Sequence, residues 1–277
     1  MQTQTKQEFI RLFNDLCQKR HRYEVFRDFI TCVSAALHNA VVKSEALEER
    51  YMEVVDRYPK EDVAKFATML PILIELLDEA PRDVLGQLYM ELEIGSDHMG
   101  QYFSPPEISS LMAKLNRVTD VLEHKPHITI HEPACGSGGM VLAIVSEVID
   151  AKYNPAVCMW AQCIDIDRTA AMMCFIQLTL WNVPAEIVVG NSLTMKFEEV
   201  YYTPAHYLND WEGRLKSDSM IQALQELLMT EPNDSLEQIA NANNGKQKTE
   251  VADSNKPILE PPKTFEIRSA GQMTLDL

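Results

Sequence analysis

The sequence predicts an α/β domain with a parallel sheet, set behind an all-helical N-terminal region. Three observations predict it. A glycine turn, Gly136-Ser137-Gly138-Gly139, lies between a strand-like and a helix-like run; a second strand-like run ends in the carboxylates Asp165 and Asp167; and residues 1–95 show helical apolar stripes without strand alternation.

In the helical region Phe9, Leu12, Phe13 and Leu16 make one stripe, and Phe26, Phe29, Ile30, Val33 and Leu37 a second. Met69, Leu70, Ile72, Leu73, Leu76 and Leu77 make a third, ended by Pro81. Gly95 to Gly100 links this region, residues 1–95, to the α/β region, residues 96–229. There the first strand runs from Pro126 to His131, with Ile128 and Ile130 on one face, and the following helix carries Met140, Val141, Ile144, Val145 and Val148. Val157 to Asp167 reads as a second strand, Arg168 to Trp181 as a helix, Ala185 to Val189 as a third strand, and Ser219 to Met229 as a last helix. From residue 230 to 277 Asn, Gln, Asp, Ser, Lys and Pro prevail, so this segment is expected to be disordered, since it offers too little apolar surface to offset ordering.

Gly136, Gly138 and Gly139 supply positive φ and a bare backbone where a ligand could approach, and the helix after them points its first amides at whatever binds. A dinucleotide fingerprint would need glycine at position 141, which is Val141, and a nucleotide-binding Gly-Lys-Ser or Gly-Lys-Thr is missing from the sequence. Glycine turns also occur in proteins that bind nothing. Asp165 follows at the spacing of one βαβ unit, about thirty residues, and could accept the hydroxyls of a ribose. Taken alone, Asp165 and Asp167 could simply cap the next helix, the commoner role of such residues, but after the glycine turn ribose binding is the better reading.

The 277 residues carry a formal net charge of −16, which repels phosphate. The one basic cluster, Lys19-Arg20-His21-Arg22 with Arg27, is a weak candidate for a DNA contact, so unaided DNA binding is not expected. Cys17, Cys32, Cys135, Cys158, Cys163 and Cys174 form no Cys-x-x-Cys pair, which suits reduced cysteines and predicts no metal site. No run approaches the length of a membrane span and the N-terminus is polar, so a cytoplasmic protein without membrane association is expected.

Four blocks in order resemble the adenine-N6 DNA methyltransferases, most closely the modification subunits of type I restriction systems: Gly100-Gln101-Tyr102-Phe103-Ser104-Pro105, Glu132 to Gly139, Ile164-Asp165-Ile166-Asp167 and Gly190-Asn191-Ser192-Leu193. The resemblance implies a Rossmann-like methyltransferase sheet that binds S-adenosylmethionine. Tyr102, Ser104 and Pro105 would close over its methionine end, and Glu132, Pro133, Ala134, Gly136 and Gly138 would hold its amino acid portion. Asp165, with Ile166 beside it, would take the ribose, while Asn191 and Ser192 would lie near the adenine. The family places Asp at the position of Asn191; the Asn side chain can still accept through its carbonyl oxygen.

The family also carries Asn-Pro-Pro-Phe or Asn-Pro-Pro-Tyr, which grips the target amine and stacks on the flipped base. Here Thr203-Pro204-Ala205-His206 stands at that place. If the segment is catalytic, Thr203 and the Pro204 carbonyl would accept from the amine and His206 would stack on the base. Read from the residues alone, Tyr201 to His206 is a buried strand entering a Thr-Pro helix start. The sheet is short by comparison, as if truncated at one edge or completed by another chain.

Two functions stay open: an adenine-N6 DNA methyltransferase, or a cofactor-binding module without transfer activity that serves DNA modification, anti-restriction or replication. The expected partners are DNA, reached with a helper protein such as a specificity subunit, and the polymerase sliding clamp. The clamp would be docked by the C-terminal peptide through Gln272, Leu275 and Leu277, unless that tail adds a strand to the sheet or does nothing.

Overall fold

The computed structural model describes residues 2–94 and 103–229. The chain divides into two compact units, Met1–Glu212 and Gly213–Leu277. The first begins with five helices: α1 (Gln2–Leu16), α2 (Arg22–Asn39), α3 (Glu45–Arg57), α4 (Lys60–Leu77) and α5 (Val84–Glu91). Ser44 caps α3 and Asp83 caps α5 through their side-chain oxygens. The three expected stripes meet in one core, where Phe9 and Phe66 both pack on Phe29.

The remaining elements are α6 (Pro106–Asn116), α7 (Val118–Leu122), β1 (Ile128–Glu132), α8 (Gly139–Asp150), α9 (Pro155–Cys158), β2 (Met159–Asp165), α10 (Arg168–Leu180), β3 (Ala185–Asn191), β4 (Lys196–Tyr202), α11 (Pro204–Leu208) and α12 (Trp211–Met229). From Gly213 onward, α12 is the described part of the second unit; within it Ser217 and Ser219 donate back to the carbonyls of Gly213 and Leu215. The segment 230–277, with its docking peptide, lies outside the described residues.

The sheet order is β1-β2-β3-β4. The first three strands are parallel, with Ile128 opposite Met159 and Ala161 opposite Ala185. Two crossovers running the same way across the sheet put α8 and α10 on one face, because such connections share one hand. That face buries Met159, Ala161, Cys163, Ala185 and Ile187 completely, and α2 packs over α10 so that helical region and sheet share a core. The opposite face carries polar and aromatic groups, among them Trp160, Gln162, Glu186 and Tyr202. On it Glu186 accepts from Gln162 at 2.6 Å and from Tyr202 at 2.7 Å.

β4 turns back antiparallel on β3, pairing Lys196 with Asn191 and Tyr202 with Glu186. Gly190 permits this tight return, since a Cβ there would fall 2.5 Å from the Lys196 carbonyl oxygen. The chain therefore runs from the carboxyl end of β3 back toward its amino end, a distance of about 20 Å along the 7 residues of β4.

Candidate cofactor site and a displaced tetrapeptide

The parallel strands deliver their carboxyl ends to one edge of the sheet, and the glycine turn sits on that edge. Gly136 and Gly138 adopt φ of 54° and 93°, the left-handed region that glycine enters without cost. Gly138 is the N-cap of α8. Both glycines also answer to close neighbours. A Cβ at Gly138 would meet Cys174 Sγ at 2.9 Å, and one at Gly136 would meet the Phe103 ring at 3.2 Å. Phe103 in turn packs edge-on against Tyr89, so the segment after residue 102 lies over the turn.

Asp165, at the end of β2, completes the edge. Its Oδ2 accepts the Gly136 amide at 2.8 Å and its Oδ1 accepts the Asp167 amide at 2.8 Å. The Ile166 amide also pulls on this carboxylate, which is half-buried. Asp167 is the residue that caps α10, accepting from the Thr169 amide at 2.7 Å. Of the roles that sequence left open for both acids, the helix cap falls to Asp167. Burial raises the pKa of Asp165 against the pull of its amide donors, and burial likewise raises that of Glu132, whose Oε1 accepts from the Ala134 amide at 3.3 Å.

Around these acids Pro133, Ala134 and Ile166 are exposed, Ile166 to 70% and Leu193 at the end of β3 to 94%. Asn191 spends its side-chain oxygen locally, accepting from Leu193 at 2.9 Å and Thr194 at 3.1 Å, which leaves its NH2 as the group to offer. Ser192 beside it is half-buried. Ser104 and Pro105 are exposed and line a cavity of about 480 Å³ with Lys6, Asp83, Gly86 and Phe103; neither Glu132 nor Asp165 lines that cavity. Tyr102 lies outside the described residues.

The profile of a family described as N-6 DNA methylase matches residues 81–226, more than half of the chain. The chain belongs to the N-6 DNA methylase family. Methylases of this family take their methyl group from S-adenosylmethionine. No curated protein is similar to the chain at a significant level. Among solved structures it is similar to a Listeria monocytogenes protein assigned as a class I S-adenosylmethionine-dependent methyltransferase, with 14% identity and a TM-score of 0.39. The similarity covers 69% of this chain and 54% of that one, so the chain spans about half the length of its structural relative.

The donor set suits the family's cofactor. Two half-buried carboxylates at strand ends match a ligand with a positive sulfonium, an ammonium and two ribose hydroxyls, and the amides at the start of α8 match a carboxylate.

The tetrapeptide lies away from that edge of the sheet. Thr203, Pro204 and His206, expected on the target amine and base, lie beyond the amino end of β3, the opposite end of the sheet from Asp165 and Asn191. Thr203 is fully buried; its hydroxyl donates to the Val183 carbonyl at 2.7 Å and accepts from the Ala185 amide at 2.9 Å. Pro204 opens α11. His206 is buried, with Tyr202 4.4 Å from its ring centroid and Trp160 donating to its Nδ1 at 3.1 Å. The local reading, a strand entering a Thr-Pro helix start, is the one the fold adopts, because β4 pairs with β3 instead of standing beside β1.

The basic cluster is likewise absorbed by the fold. Arg20 lies 3.9 Å over the Tyr58 ring, Arg22 donates to the Leu92 carbonyl at 2.9 Å, and Arg27 pairs with Asp28. The six cysteines are free thiols, and no group of three or more His, Cys, Asp or Glu suited to a metal occurs among the described residues. No described helix is long and apolar enough to cross a membrane.

Sequence reasoning passed over Asp83 and Gln177. Asp83 before the apolar run Val84-Leu85 carries the signature of an N-cap, and Gln177 is a polar residue amid Cys174, Phe175, Ile176 and Leu178, where burial demands partners.

Proposed function

We propose that this chain is the S-adenosylmethionine-holding part of an adenine-N6 DNA methyltransferase of the type I modification-subunit kind, and that the groups contacting the target amine come from outside its described residues. The observation that carries this reading is the Gly136 amide bound to the Asp165 carboxylate at the carboxyl ends of parallel strands. In it Asp165 receives the ribose hydroxyls on the lone pairs that its amide donors leave open, and Glu132 faces the positive end of the methionine. Ile166 offers an apolar surface to the adenine, and the Asn191 amide donates to a ring nitrogen. The turn residues Pro133, Ala134, Gly136 and Gly138, with Ser192, shape the walls, and Tyr102, Ser104 and Pro105 close the methionine end. S-adenosylmethionine supplies the methyl group.

A net charge of −16 and a basic cluster tied into internal contacts favour DNA delivery by a partner such as a specificity subunit. The outer edge of β1 has no strand partner among the described residues, which supports a sheet completed by another segment or chain. Clamp docking through Gln272, Leu275 and Leu277 belongs to the same proposal, with the tail as a tether.

A second reading, a cofactor-binding module without transfer activity that serves as a partner in modification, anti-restriction or replication, is favoured by the burial of Thr203. Calorimetric titration with S-adenosylmethionine tests the shared part: wild type binds and Asp165→Ala does not. Labelled methyl transfer to adenine-containing DNA, with and without a type I specificity subunit, separates the two. Transfer that needs the subunit supports the first reading, and its absence in both mixtures supports the second. Transfer by the chain alone contradicts an acceptor site supplied from outside.

A further inference from the structure

The glycine turn is held from below by a polar network that reaches into the helical region. Gln177 lies in the last turn of α10 and is fully buried. Its Oε1 accepts from the amides of Val84 at 2.8 Å and Leu85 at 3.1 Å, the first turn of α5. Its Nε2 donates to Asp83 Oδ1 at 2.9 Å and to the Ser137 carbonyl at 2.8 Å. Asp83 closes the circuit: Oδ1 accepts the Gly86 amide at 2.7 Å and Oδ2 accepts the Ser137 hydroxyl at 2.5 Å. The Gln177 amide thus fills both donor and both acceptor positions without water. Gly86 is what lets α5 come this near, since a Cβ there would stand 2.6 Å from Ser137 Oγ.

Apolar packing would join three elements at lower desolvation cost than a buried carboxylate and amide, whereas hydrogen bonds fix direction as well as distance. Both polar groups of Ser137, carbonyl and hydroxyl, are directed, and Ser137 sits between Gly136 and Gly138, the two glycines of positive φ in the turn. We infer that Asp83 and Gln177 are positioning residues that hold the glycine turn in its binding shape through Ser137, so that α5 and α10 set the affinity for the cofactor. This rests on the cofactor reading above.

The test uses the full chain and three variants, read by calorimetry with S-adenosylmethionine, thermal melting, and hydrogen exchange of the amides of residues 136–139 against those of α1 to α4. Ser137→Ala, which deletes one hydroxyl, is expected to weaken binding about tenfold and speed exchange in the turn while the helical amides exchange as in wild type. Gln177→Glu removes both donors and sets a carboxylate against Asp83; a loss of about a hundredfold is expected, and if it does not fold, Ser137→Ala carries the test. Asp83→Asn keeps an oxygen for Gly86 and Gln177 and lets the Ser137 hydroxyl turn to accept, so it should bind within about threefold of wild type. Wild-type binding and unchanged turn exchange in Ser137→Ala overturn the inference, as does a loss of binding matched by equal loosening of α1 to α4. If wild type itself binds no cofactor, the functional reading fails, and exchange in the turn still decides whether Ser137 is the anchor.

Discussion

Thr203 donates its hydroxyl proton to the Val183 carbonyl at 2.7 Å, and this bond ties the end of β4 to the residues just before β3. The same hydroxyl accepts from the Ala185 amide, so both of its hydrogen-bonding roles are spent inside the fold. A residue so placed joins strands, and its full burial keeps the remaining lone pair of the hydroxyl from a substrate amine.

Replacing Thr203 therefore separates stability from chemistry. Thr203→Val leaves the Val183 carbonyl and Ala185 amide buried without partners and is expected to cost about 2 kcal/mol in urea unfolding. Thr203→Asn, which restores the family's amide, should destabilise to a similar degree by overpacking a fully buried site and should yield no gain in methyl transfer. A gain of transfer in Thr203→Asn would return the tetrapeptide to the active site.

Cofactor affinity should depend on the charge of Asp165. Its carboxylate, raised by burial above the ordinary 3.8, accepts hydrogen bonds in the ionised form that the proposed ribose contact requires. Affinity is then expected to fall as pH is lowered through the Asp165 titration and to level off above it. The folded state holds this proton more tightly than the unfolded chain, so ionisation of Asp165 lowers stability as pH rises, in the opposite direction to its effect on binding. Calorimetry across pH checks the first statement, and a flat profile would contradict it.

Acid sensitivity should trace to Glu199. Burial alone would raise its pKa, but Arg50, Tyr201 and Arg168 outweigh that and bring it to about 2 from 4.5. Arg50 grips both oxygens, at 2.8 Å and 2.5 Å, and Arg168 donates at 3.0 Å, so β4 is tied to α3 and α10. A depressed carboxylate stabilises fully above the unfolded value and loses that contribution as pH falls from about 4.5 toward 2. With Arg50 partly exposed, solvent screening holds the contribution to about 1 kcal/mol. Glu199→Gln should be less stable than wild type at neutral pH and equal to it near the acid limit, as measured by urea unfolding at several pH values.

The sequence by itself determined what depends on neighbours along the chain. Phe9, Leu12, Phe13 and Leu16 fall on one helical face by spacing alone, and that face is buried. The strand from Pro126, observed as Ile128–Glu132, and the turn at Gly136 are fixed by alternation and by the need for positive φ. The second strand begins later than its apolar run suggests because Pro155 opens a short helix through Cys158. The last helix begins at Trp211, not Ser219, because Trp211 is buried and anchors its start with a bond from the indole to the Ala156 carbonyl.

Tertiary structure alone decided the pairings. Whether β4 would stand beside β1 or fold back on β3 is not written in Lys196 to Tyr202, whose alternation suits either neighbour; the tight return at Gly190 and the grip of Arg50 on Glu199 settle it, and with it the fate of Thr203. Gln177 is likewise one polar residue in an apolar helix until α5 and the glycine turn arrive with the donors and acceptors it needs. Local periodicity sets which residues are buried, while hydrogen-bond partners far apart in sequence become known only when the chain has closed on itself.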